Sequence, residues 1–172
     1  MKAGNKKNKG ITPSHLLIPA IITSIATAFL VFILNYLNFD LKYGLGLSAL
    51  IFASFGSSIF LMFMTPEFPM AKPSKFLRSY IIAAFVGFFF HFFVQFTSVA
   101  IISGITIFVM SMLLMLGKSE HGPAVGIALA FVLFDIGIAG IIVVFGGILI
   151  IGVFKVLFDK YILWPNGNSY KL

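Results

Sequence analysis

The 172-residue chain has no cysteine. That excludes disulfides, thiolate metal sites and cysteine nucleophiles. Charge is nearly as scarce: 10% of the residues are charged, against about 25% in soluble domains. Sixty per cent are hydrophobic, and mean hydropathy is +1.09. No stretch is left for a soluble domain once the apolar segments are set aside, so any chemistry takes place in or beside a membrane. The chain has no paired-histidine metal motif, no glycine-rich phosphate loop after a strand, and no Ser/His/Asp order on a soluble scaffold. No enzyme activity, cofactor or metal is expected. Net charge is +7, but Lys2, Lys6, Lys7 and Lys9 all precede the first apolar segment, and the remaining basic residues are spread thinly at segment ends. That is a pattern of membrane orientation signals, and no nucleic-acid partner is expected.

What is present is a series of apolar helix-length runs, which predicts an all-α polytopic membrane bundle. Residues 1–13 form a basic flexible N-terminus, 14–158 the transmembrane domain, and 159–172 a polar tail. The run Leu16–Leu37 exceeds a signal-peptide core of about 7–15 residues and reads as a retained first span, Ser14–Leu37. A second span covers Gly44–Met64. Pro66, Pro69 and Pro73 then forbid a regular helix over residues 65–75. Phe76–Gly117 is 42 residues with almost no charge; as one helix it would measure about 63 Å, twice a bilayer core. It is therefore two spans, near 76–96 and 98–117, turning at Gln95–Ser98. The segment His121–Phe134 is too short to cross comfortably, being about 21 Å as helix. Ile138–Phe158 is a full span, followed by Tyr161 and Trp164 as interface anchors. Lysines and arginines at the N-terminus, in the 65–78 loop and at the C-terminal end place these regions in the cytoplasm. The count is then six crossings with the arithmetic of an inverted 3+3 repeat, or five if 121–134 is re-entrant. The expected location is the plasma membrane, with the N-terminus cytoplasmic and lipids as partners.

Two segments interrupt the apolar pattern with small and polar residues, one in each half: Ala53–Ser58 and His121–Gly126. Paired interruptions of this kind mark solute pathways in transporters. Pro123 suits the first turn of a helix. A helix opening at Gly122 would aim free amides and its positive dipole end toward its start, a ready anion site, with His121 at the mouth. Gly122, Gly126 and Ala130 form one small face, and Ala124 and Ala128 another; such faces serve packing, or packing that also lines a pathway. Ser54 and Ser58 share a face of the second span, beside Gly56 and Ser57. Their hydroxyls bind an anion or return to their own i−4 carbonyls. Lys72, between two prolines, either presents its ammonium to an anion or snorkels to headgroups. His91, near the middle of the third span, and Asp135, closing the short helix, are candidates for a polar or proton relay, with burial within the bundle or at an interface as the other reading.

The segments Ala53-Ser54-Phe55-Gly56-Ser57-Ser58, Thr65-Pro66-Glu67-Phe68-Pro69-Met70-Ala71-Lys72-Pro73 and His121-Gly122-Pro123-Ala124-Val125-Gly126 resemble, in order and spacing, the HPP family of integral membrane proteins. Gly122 stands where the first proline of that family's His-Pro-Pro signature would be. Plant and cyanobacterial relatives are implicated in nitrite transport. The resemblance implies a transporter or channel for a small inorganic anion, with nitrite as a candidate. The solute would sit against Ser54, Gly56, Ser57, Ser58, Lys72 and the His121–Ala124 corner. A homo-oligomer is expected. Two other readings stand beside it: a non-transporting scaffold whose small faces make oligomer contacts, and a proton- or cation-coupled carrier using His91 and Asp135.

Overall fold

A computed structural model describes residues 13–36, 45–66, 68–134 and 136–161. Among them every regular element is helical: α1 Pro13–Tyr36, α2 Leu45–Met64, a 3-10 turn Pro69–Ala71, α3 Pro73–His91, α4 Val99–Leu116, α5 Ala124–Phe134 and α6 Gly137–Tyr161. Two helical stretches are long and apolar enough to cross a membrane, Val99–Leu116 with mean hydropathy 2.5 and Gly137–Leu157 with 2.7. Asp135 lies outside the described residues.

Local chemistry sets most of these boundaries. Pro73 opens α3 at a position where a missing N–H costs nothing. Ser98 caps α4 by accepting from the Ile101 amide at 3.3 Å. At the other end of α4, Lys118 takes a left-handed backbone with φ 49°. The Ser119 amide reaches back to Leu114 O at 2.9 Å, closing the helix as a Schellman-type cap. Gly137, at φ 47°, supplies the left-handed corner between α5 and α6 that a residue with a Cβ rarely adopts.

Both ends of α3 differ from expectation: it begins at Pro73, inside the 65–75 stretch expected to hold no regular helix, because a proline fits a helix's first turn. The third span was expected to continue to Phe96, but α3 ends at His91. Beyond it the amides of Phe93, Val94 and Phe96 donate to carbonyls three residues back, so the chain winds through successive turns instead of extending the helix. His91 is therefore at a helix end and not at mid-span.

The short α5 occupies the centre. Its 11 residues measure about 16 Å, and Ala124, Ile127, Ala128, Ala130, Phe131 and Val132 are all buried. A helix apolar on all sides belongs in the interior. It packs against α2, α3 and α4. Alongside α3 it runs in the same direction: His121 lies beside Phe76 and Tyr80, Ala128 meets Gly87, and Phe131 meets Phe88. Helix α6 follows α2 in the same way, with Gly147 under the Phe55 ring and the Lys155 Nζ 5.4 Å from the Phe63 ring centre. In lipid the transfer of apolar surface contributes little to helix association, so close packing and interhelical hydrogen bonds carry it. Gly87 and Gly126 provide that closeness, because a Cβ at either would collide with the facing helix. Outward, α4 shows Ile101, Phe108 and Met115, and α6 shows Ile142, Leu149 and Val156, surfaces suited to acyl chains.

Candidate functional site

Three buried polar side chains, Ser58, Tyr80 and His121, converge where α5 begins. His121, in the connection between α4 and α5, is fully buried. Its Nδ1 lies 2.7 Å from Met70 O, in the 3-10 turn that covers it. A carbonyl only accepts, so Nδ1 carries the hydrogen and donates. Nε2 lies 2.7 Å from Ser58 Oγ on α2. The Tyr80 hydroxyl on α3 lies 2.8 Å from the same Ser58 Oγ and 2.8 Å from Ser54 O. Ser58 Oγ is also 3.0 Å from Ser54 O. Aromatic rings wall the cluster: Phe55 stacks on Tyr80 at 5.0 Å between centroids, and Phe76 stands edge-on to His121 at 5.5 Å. Four separate chain segments are tied at one point. Burial pushes the His121 imidazole pKa down, and the bond to Met70 O opposes this more weakly.

Lys72, Arg78 and Lys118, each within three chain positions of Met70, Tyr80 or His121, are exposed. Lys75 pairs with Glu120, and that ammonium holds the Glu120 carboxyl below its ordinary range. Gly122 is exposed, and a Cβ there would meet nothing within 4 Å. The buried His121 and the exposed Gly122 are adjacent residues.

Of the residues singled out in the sequence, the structure brings Ser58 and His121 into direct contact. Ser54 enters through its backbone carbonyl, while its hydroxyl returns to Leu50 O at 2.9 Å and faces Gly126. Ser57 is exposed and bonds Ala53 O at 2.6 Å. Gly56 is half-buried, with open space at its Cβ position. Lys72 is the exposed residue preceding α3, outside the cluster. Pro123 is half-buried, and Ala124 is wholly buried at the α5 start. The amides expected to be free are not: Ala124, Val125 and Gly126 donate to His121 O, Gly122 O and Pro123 O at 3.1, 3.0 and 3.2 Å. A tight first turn satisfies them internally. His91 lies at the opposite end of α5, where it lines a cavity of about 310 Å³ with Phe92, Val94, Gln95, Val99, Val132 and Leu133.

Two participants escaped the sequence reading. Tyr80 was legible in principle as the one hydroxyl-bearing aromatic within the apolar stretch Ser79–Phe90, since a buried tyrosine hydroxyl usually finds a partner. The Met70 carbonyl is a backbone group and has no signature.

An apolar helix bundle with a sealed polar knot at one end defines an integral membrane protein. The family model described as HPP, transmembrane region, matches residues 10–169, and the chain belongs to that family. No curated protein and no solved structure matches it.

Proposed function

We propose that this protein is a membrane transporter for a small inorganic anion, with nitrite as the first candidate. The observation that carries this reading is the pairing, at adjacent residues, of the exposed Gly122 with the buried Ser58–His121–Tyr80 cluster, while exposed Lys72, Arg78 and Lys118 each stand within three chain positions of Met70, Tyr80 or His121. A concave or recessed surface of one charge sign raises the local concentration of its counter-ion. The solute enters at Gly122 and passes along α5 toward the cavity beside His91 and Gln95 at the far end. Six passes with both termini cytoplasmic fit this route. Helix α5 runs with α3 and α6 with α2, as alternating crossings require. Of the small faces that a scaffold would use for oligomer contacts, Gly126, Ala124, Ala128 and Ala130 are engaged within the chain, which counts against that role for them.

The test is flux. Proteoliposomes containing the protein should take up nitrite or nitrate faster than empty vesicles. Gly122→Leu, whose Cβ would meet nothing within 4 Å, should fold normally and lower uptake at least about tenfold. Unchanged uptake in that variant would remove the Gly122 mouth from the pathway.

A further inference from the structure

The cluster at His121 has more close contacts than hydrogens to fill them. With Nδ1–H committed to Met70 O, a neutral imidazole leaves two hydroxyl hydrogens for the remaining contacts. Ser58 O–H must go to the bare Nε2 at 2.7 Å. Tyr80 O–H then serves either Ser58 Oγ or Ser54 O, both at 2.8 Å. One of those two contacts is left as oxygen against oxygen, as is that of Ser58 Oγ with Ser54 O at 3.0 Å. A single added proton supplies a hydrogen for the first; the second joins residues one turn apart on α2 and stays without one. Nε2–H donates to Ser58 Oγ, Ser58 O–H donates to Tyr80 Oη, and Tyr80 O–H donates to Ser54 O. Every group then acts within its donor and acceptor capacity, and every donor has an acceptor.

We infer that His121 Nε2 is a proton-binding site, and that the anion is carried together with the proton held there. The inference rests on the transport reading above and names its coupling ion. The proton adds to the Nε2 lone pair, no bond is broken, and the charge of the anion is balanced by the imidazolium. The groups facing the ring are compatible with this. From α2 comes the Ser58 hydroxyl, from α3 Tyr80 and the Phe76 ring, and from the 3-10 turn the Met70 carbonyl. Glu120, the adjacent carboxylate, is exposed and held by Lys75, and Lys72 and Lys118 are exposed. Tyr80 is therefore the one titratable side chain among the described residues that the ring touches through Ser58. Burial disfavours the charged ring, so a proton taken up there is held weakly and readily released.

Two measurements test it. In the first, proteoliposomes with the membrane potential clamped at zero receive an inward pH gradient of one unit and external nitrate, whose acid stays ionised and does not leak through lipid. One-to-one coupling concentrates nitrate about tenfold inside, the free energy of one pH unit. The wild type should approach that ratio, and His121→Gln, which keeps hydrogen-bonding capacity but cannot bind the proton, should stop at a ratio of one. Accumulation by His121→Gln, or equilibration of the wild type without accumulation, would overturn the assignment. In the second, nitrogen-labelled histidine NMR follows Nε2 with pH, and His121→Gln identifies its signal. Reversible protonation in the folded protein supports the site; a nitrogen that stays bare until the protein unfolds refutes it. If no anion moves in any vesicle, the transport reading fails, and the titration alone judges the proton site.

Discussion

The contact between Gly87 and Ala128 gives the sharpest stability test of the fold. An alanine Cβ at position 87 would lie 2.8 Å from Ala128 O, 2.9 Å from Ala128 Cα and 3.0 Å from Phe131 Cβ. The first two are backbone atoms and cannot swing aside, so α3 and α5 must part. Overpacking of this kind costs about 1–3 kcal/mol, and a rigid backbone neighbour places it at about 3. The better helix propensity of alanine returns up to about 1 kcal/mol. The net destabilisation of Gly87→Ala is then roughly 2 kcal/mol. At about 2–4 °C per kcal/mol for a chain of this size, the thermal midpoint in detergent should fall by roughly 4–8 °C. Gly122→Ala, with no neighbour within 4 Å, is the matched control and should leave the midpoint nearly unchanged. A Gly87→Ala variant as stable as the wild type would mean that the two helices are not apposed at this point.

Other expectations follow from the same geometry. Tyr80→Phe keeps the ring contacts with Phe55 and Phe76 but removes the hydroxyl bonded to Ser54 O and Ser58; it should cost about 1–2 kcal/mol, and an unshifted midpoint would show those bonds to be absent. Because burial depresses the His121 pKa, its contribution to stability is complete above the unfolded value of about 6.5 and is lost as pH falls toward the folded one. Midpoints measured from pH 8 downward should decline on the acid side, and His121→Gln should flatten that decline. Lys118→Gly relieves a left-handed backbone at a non-glycine residue and should stabilise by roughly 0.5–1 kcal/mol; a loss of stability would contradict the Schellman-type cap.

Much of the fold was readable from residue order because lipid imposes so strong a rule. Helices must be apolar and long, and polar or proline-rich breaks must lie between them. Hence the expected Ser14–Leu37, Gly44–Met64 and 98–117 spans fall within a residue or two of α1, α2 and α4. The α3 terminus was misplaced because Phe92, Phe93, Val94 and Phe96 are as apolar in turns as in helix, and hydropathy does not register the change of hydrogen-bond pattern. Within the site, Ser58 and His121 stood out as polar residues in apolar surroundings. Their partners did not, since the hydrogen bond between α2 and the α4–α5 connection spans 63 positions and the Met70 contribution comes from the main chain. The free amides foreseen at the α5 start were lost to a preference that composition cannot express, the tightening of a first turn onto carbonyls three residues back.

The exposed Gly122 gains an experimental use from the cysteine-free chain. Gly122→Cys would carry the molecule's sole thiol, with no background labelling to remove first. The space around that position leaves room for a bulky maleimide. Comparing how fast membrane-permeant and impermeant reagents modify it, with and without substrate, would report from which face of the bilayer water reaches this threshold, and whether that access alternates.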